Sequence, residues 1–593
     1  MRRFLLFVCL TAAFGSGCRE SIVDHVPIDI ALPGAPECRD VLGPMTLTAL
    51  GDFPTTDRVV ALLDSSGAML EPITRFPDET LAFSISGRAS TGRQLFGWAT
   101  RASLAVDAAL VVWPVGLSCL VADPEAHAPV GAAVVAIDQA RAMFVGGLDE
   151  SGNATRRIAI LHTRRERVEL PAVAQRASMT AFGTATLAGD AVIVSGGALR
   201  DGGDAQLACE RIPLDGSALG FGSLRVARRD HGAIGVDLGG ARRVLLVGGS
   251  NGRSALASME WLDPATCTGD MLDSVLATPR VAPLLVQLDA NHIAIVGGTP
   301  SGGGAILPTL EILDFVHDAR VSVGVSLPVP TWIAALPSGR IAWAAASRLQ
   351  IVSPADAWVA DAGTVPTVEG PVATGLLDGR ILLEGHRSDG MRLGYVIDPG
   401  AGTTTPVATS RVPDRLLPLL DGTTLEIATL GVSLRRDDHL TLFDGPPPTF
   451  LFATDRDVLA LDASSRWTSG ADGLSPTSDG ARLDIPLLRF RQLEAQLDAS
   501  GSYDVLLTGE HLEALATIAV TSARVSIGAC AIMRTEGATH VRVARIDGGV
   551  SIGDDHAQVS CPLAIDAGTR VGVGIVAHTG ASLRSMALTR DSF

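Results

Sequence analysis

A hydrophobic run that stops on two glycines occurs four times at nearly even intervals in this chain of 593 residues: AMFVGG ends at Gly147, AVIVSGG at Gly197, VLLVGG at Gly249 and IAIVGG at Gly298. An interval of about fifty residues is that of architectures made by stacking or ringing one supersecondary unit. Weaker copies without the full glycine pair follow at IAWAAAS (Ile341 to Ser347), ILLEGH (Ile381 to His386) and LEIATLG (Leu425 to Gly431). Most of the runs are preceded by tight-turn residues, as in Leu187-Ala-Gly-Asp190 and Leu336-Pro-Ser-Gly339, and such turns join antiparallel strands. After the glycines comes a polar loop and then a second short apolar segment, such as SMEWLDP (Ser258 to Pro264), TLEILDF (Thr309 to Phe315) or GYVIDPG (Gly394 to Gly400). Each unit therefore reads as three or four short strands. A sheet of this kind is apolar on both faces and cannot stand alone, but ringed against its neighbours it buries both. The expectation is an all-β chain with a propeller over residues 130–445, of about seven blades, with six as the alternative.

Gly146, Gly147, Gly196, Gly197, Gly248, Gly249, Gly297 and Gly298 are assigned to geometry. A residue without Cβ lets crowded backbones approach and reaches dihedrals that cost other residues about 1 kcal/mol or more. A phosphate cradle needs GxxxxGK[ST], and this chain has no lysine at all.

The best single unit, ARRDHGAIGVDLGGARRVLLVGGSNGRSALASMEWLDPATCT (Ala227 to Thr268), resembles a kelch repeat, whose marks are a hydrophobic run into a diglycine and a later strand ending near Asp-Pro. The Tyr and Trp usual after the glycines are mostly missing, with Trp261 and Tyr395 as partial survivors. Kelch-type propellers include galactose-oxidase-like copper enzymes, whose radical site needs tyrosines. This chain has only Tyr395 and Tyr503, and Tyr503 lies outside the propeller. No HExxH or GxSxG occurs and the histidines are dispersed, so no metal site, catalytic residue or cofactor is assigned. His231 in RRDH and His439 in RRDDH are expected to hydrogen-bond turns. Asn153-Ala154-Thr155 fits a glycosylation sequon by chance, and Asp547 to His556, DGGVSIGDDH, reads as a solvated turn in preference to a calcium loop.

The N-terminus, MRRFLLFVCLTAAFGSGC, places two arginines before an apolar stretch too short to span a bilayer, the form of an export signal over residues 1–17. Its closing Gly15-Ser16-Gly17-Cys18 resembles a bacterial lipoprotein signal, which implies a lipidated Cys18, with Arg19 favouring the outer membrane. Gly15 departs from the usual leucine, and ordinary cleavage leaving a free or disulfide-bonded Cys18 is the alternative. Beyond Cys9 and Cys18, six cysteines fall two by two along the chain, which suggests Cys38–Cys119, Cys209–Cys267 and Cys530–Cys561 in an oxidising compartment. The formal charge of -17 and the absence of a basic run exclude a nucleic-acid partner.

After a linker over 18–36, residues 37–125 carry short apolar segments such as TLAFSIS (Thr80 to Ser86) between Gly, Pro and Asp turns, which suggests a small β-sandwich. Pro446-Pro447-Pro448 marks a stiff junction. Residues 450–593 read as a second β-sandwich, and Arg570 to Arg590 resembles the final strands of concanavalin-like jelly rolls.

Loops on a rigid scaffold are where recognition usually lies. The loops after the glycines carry Asp149, Glu150, Asn153, Asp201, Asp204, Asn251, Arg253, His386 and Asp389, side chains suited to a glycan or a protein edge. The same residues suit a merely soluble rim. The expected function is an exported, lipid-anchored surface protein binding a protein or polysaccharide outside the cell. The competing expectation is an exported carbohydrate-active enzyme with its site in the propeller funnel.

Overall fold

The computed structural model describes residues 28–436 and the strands between 449 and 590, short loop segments excepted. The signal, Cys18, His439 and the triple proline lie outside the described residues. Among the described residues the chain is all-β, with a short helix at Pro36–Arg39 and a 3-10 turn at Thr163–Arg165.

The first domain is a small sandwich. A five-stranded antiparallel sheet holds Met45–Gly51 and Thr80–Arg88 at its centre, and a two-stranded parallel sheet pairs Asp29–Ala31 with Ala109–Val111. Alternation along Met45–Gly51 and Thr80–Arg88 sends Met45, Leu47, Phe83 and Ile85 into one core with Leu110 and Val112.

Seven four-stranded blades follow. Blade one comprises Ala133–Ala136, Arg141–Val145, Ile158–His162 and Arg167–Glu169 in antiparallel order. The inner strands of blades two to seven are Thr184–Ala188, Gly232–Leu238, Leu284–Gln287, Trp332–Ala335, Glu369–Gly375 and Arg415–Pro418. From blade one to blade seven, inner strands of consecutive blades touch, which places them around the axis.

The run before each diglycine is the second strand of its blade and is buried on both sides. In blade two, Ile193 packs toward blade three with Val244 and Leu246, while Val192 and Val194 pack toward blade one with Met143 and Val145. In blade four, Ile293 and Ile295 meet blade three, and Ala294 and Val296 meet Trp343 of blade five. The period of two along a strand thus serves two neighbours at once, which is why the run is continuously apolar. Blades five and six share Ala342, Ala344, Ile381 and Leu383, blades six and seven share Leu382, Val396 and Leu416, and blades seven and one share Leu425, Ile427, Val134 and Phe144. Every blade therefore packs on two others, and the ring is closed.

Blade seven takes three strands from its own sequence, Arg415–Pro418, Thr423–Ala428 and Gly431–Arg436. Its fourth is Ser118–Leu120, with Leu120, Cys119 and Ser118 opposite Ser433, Leu434 and Arg435. The stretch assigned from sequence to the first sandwich, 37–125, thus gives its end to the ring.

The last domain is a two-sheet sandwich of an eight-stranded and a six-stranded sheet around a core containing Leu483, Tyr503, Val543, Ile552 and Ile575. Gly572–Ala577 and Leu583–Arg590 are interior strands of different sheets. All three expected disulfides are present. Cys38–Cys119 ties the helix to the closing strand, Cys209–Cys267 joins blades two and three, and Cys530–Cys561 links the two sheets of the last sandwich.

Candidate functional site

Both glycines of each pair are left-handed. Gly196 and Gly197 have φ of 64° and 102°, and Gly248 and Gly249 have 61° and 93°. The pair swings the chain out of the second strand into its loop, directly beneath the segment that leads into the next blade. The N–H of Gly197 donates to the carbonyl of Arg228 at 2.9 Å, and that of Gly249 to Arg280 at 2.9 Å. A Cβ on Gly196 would lie 2.1 Å from the Arg228 oxygen, and one on Gly248 would lie 2.6 Å from that of Arg280. The diglycine is thus the joint by which one blade is roofed by the next.

Beneath two of these joints lies a feature that sequence reasoning missed. Arg228, wholly buried, donates to the Gly248 carbonyl at 2.9 Å and pairs with buried Glu260 on the third strand of blade three at 3.2 Å. Arg280 repeats this one blade on, donating to the Gly297 carbonyl at 3.1 Å and pairing with Glu311. The sequence signal is an arginine shortly before the inner strand and a glutamate inside SMEWLDP or TLEILDF, but charged side chains ordinarily read as exposed.

Between blades six and seven the arrangement is crowded with acid. Arg435 of blade seven contacts Glu384 of blade six at 3.2 Å and Glu426 at 3.1 Å, all three wholly buried, and Ser118 of the closing strand donates to Glu426. Burial, and then the charge of Glu426, push Glu384 up to about 9 from an ordinary 4.5. A carboxyl whose pKa is higher in the folded state keeps a proton that the unfolded chain releases, so its contribution to stability falls as pH rises from 4.5 to about 9. Glu384→Gln, permanently neutral, is expected to flatten that dependence. One such group contributes a slope of up to about 1.4 kcal/mol per pH unit, and urea unfolding at pH 6, 7.5 and 9 reads it. Equal slopes in the two proteins would refute the assignment.

The loops after the diglycines form a rim, and on blades one to three the rim is stitched together. Asn153 bridges to Arg200, the Ala154 N–H donates to Leu199 at 2.8 Å, and the Ala205 N–H donates to Asn251 at 3.2 Å. Arg229 lies over the Phe182 ring at 4.6 Å and pairs with Asp230 at 2.8 Å and Asp201 at 3.4 Å. Of the expected binding residues, Asp149, Asp201 and Asn251 turn an oxygen onto N–H groups of their own loops, at 2.9, 2.8 and 2.8 Å. Glu150, Asn153, Asp204 and Arg253 are exposed, and Arg253 stands 4.0 Å from Asp204 across the boundary between blades two and three.

His386 and Asp389 do not join this group. They sit on a separate hairpin of blade six, where His386 pairs with Arg392 and Asp389 is held by Arg387 and the Met391 N–H. Blade five turns tightly from Ala345 to Arg348, and blade seven from Ala428 to Gly431, so neither carries a long loop. The missing glycine pairs of the later repeats explain the difference: without the left-handed joint the second strand runs straight into a hairpin. The rim is therefore one-sided, on blades one to four.

Two other expectations are corrected in detail. The His231 ring bonds Thr184 and Ser195 of the preceding blade, at 2.8 and 3.0 Å, and not a turn. Burial, and then the charge of Arg228, hold it neutral, well below its ordinary pKa. In DGGVSIGDDH, Gly549–Asp554 is a strand, and the Asp554 carboxylate accepts the N–H groups of Thr535, His556 and Ala557. Burial opposes its charge, but these donors outweigh that and bring it to about 2. Among the described residues no group of three or more His, Cys, Asp or Glu is arranged to hold a metal ion.

No family model matches the chain, and no curated protein matches it. Among solved structures it is similar to one titled "Structure of YjhT", at 11% identity over 48% of this chain and 99% of that one, with a TM-score of 0.36.

Proposed function

We propose that this is an exported, lipid-anchored protein of the outer membrane or cell surface, with a kelch-like propeller that binds a protein or polysaccharide through the rim of blades one to three. The observation that carries the reading is the stitching of three loops into one surface on a disulfide-joined ring, with Glu150, Asp204 and Arg253 exposed along it. Side chains fixed on a rigid frame lose little entropy on binding, which favours recognition. The disulfides fit an oxidising, exported environment. No helix among the described residues is long and apolar enough to cross a membrane, and a lipid on Cys18 would supply attachment.

The test is binding of the purified protein to a polysaccharide array and to isolated envelope proteins, with Glu150→Ala/Asp204→Ala/Arg253→Ala as the comparison. Loss of about tenfold or more in affinity is expected, on the scale of one or two lost charged contacts. Undiminished binding would remove the rim from the hypothesis. In cell fractions, Cys18→Ser is expected to release the protein, and its retention in membranes would exclude the anchor.

A further inference from the structure

Six of the seven blade interfaces join neighbours in sequence, whereas the seventh brings together distant parts of the chain and is completed by a strand of three residues. Ladder pairs of that number are marginal by themselves. The segment around them is a strap. On blade seven, the Gly116 N–H donates to Arg436 at 2.7 Å, the Val121 N–H to Val432 at 2.9 Å, and the Val432 N–H to Ala126 at 3.0 Å. On blade one, Asp123 accepts the Val168 N–H at 2.8 Å and Glu125 pairs with Arg157 at 2.9 Å. At the middle of this strap Cys119 is bonded to Cys38, on the helix Pro36–Arg39. Two residues before that helix, the Gly34 N–H donates to Glu166 of blade one at 2.9 Å.

We propose that Cys38–Cys119 is the covalent clasp of the ring. Oxidation fixes Ser118–Leu120 on blade seven and reduction opens the propeller at the seam between blades seven and one, with the other interfaces kept. Forming the bond removes two electrons and two protons from the two thiols and passes them to a disulfide-bearing oxidant of the export compartment, which becomes a dithiol. Reduction runs the exchange backwards. The closed loop spans a separation of 81 residues, so opening it returns a large conformational freedom to the strap. Cys209–Cys267 also crosses an interface, but there the blades are consecutive and their outer strands already meet at Ser223 and Thr268, so its loss leaves the ring shut.

Hydrogen exchange read by mass spectrometry distinguishes the two bonds. In Cys38→Ala/Cys119→Ala, residues 118–121 and 432–436 are expected to exchange about tenfold faster or more, with His292–Val296 of blade four unchanged. Cys209→Ala/Cys267→Ala is expected to leave the seam protected. Seam protection equal to wild type in the first variant, or an equal loss in the second, overturns the proposal. Should the first variant fail to fold, the same exchange is read on oxidised wild-type protein briefly exposed to dithiothreitol, with thiol labelling to identify the open bond. Selective exchange at the seam once Cys38–Cys119 is open supports the clasp. Undiminished protection there, or opening only when all blades unfold together, overturns it.

Discussion

Arg228→Met is expected to destabilise the propeller by about 3–5 kcal/mol, because it strands a carboxylate in the interior. Glu260 is wholly buried, and besides Arg228 it has backbone N–H donors at Arg225, 2.6 Å away, and Val226. The methionine fills the volume but cannot supply the charge, nor the donors that now satisfy the carbonyls of Gly248 and Ser258. Neutralising the partner as well, in Arg228→Met/Glu260→Gln, keeps an acceptor for the Arg225 N–H and is expected to recover more than half of the loss. Arg253→Met on the exposed rim serves as the control, near zero. Denaturant unfolding measures all three. A single variant as stable as the control would show that the buried pair is dispensable.

Gly196→Ala and Gly189→Ala separate the two explanations of a diglycine. Their backbones match, with φ of 64° and 65°, so any L residue pays the same left-handed cost of about 1–2 kcal/mol at either place. Only the surroundings differ. Gly189 has open space where a Cβ would go, whereas the Arg228 carbonyl would stand 2.1 Å from the Cβ at position 196. Overpacking of this kind adds about 1–3 kcal/mol, so the expected losses are about 1–2 at position 189 and about 2–5 at position 196. Equal losses would mean that the pair serves the dihedral alone and that the leading segment of the next blade yields.

Much of the ring was legible in order of residues. The runs ending at Gly147, Gly197, Gly249 and Gly298 mark second strands, the turn before Asp190 is a hairpin with Ala188 opposite Ala191, and the cysteines pair as proximity suggested. The binding loops were legible as loops but not as a group. Whether Asp204 meets Arg253, or Asp389 lies apart, depends on which blades stand side by side and on whether a joint or a hairpin follows the second strand. Arg228, Arg280 and Arg435 carried no expectation from the sequence, since composition alone does not reveal that a carboxylate waits one or more strands away.

Period and punctuation along the chain settled the all-β class, the repeat and its strands, because alternation, turn residues and glycine pairs act within a few residues of one another. Closure of the ring by Ser118–Leu120, the one-sidedness of the rim and the burial of its ion pairs were decided in three dimensions. Those depend on hydrogen bonds and charges between segments up to hundreds of residues apart, whose energy exists only once the blades have come together.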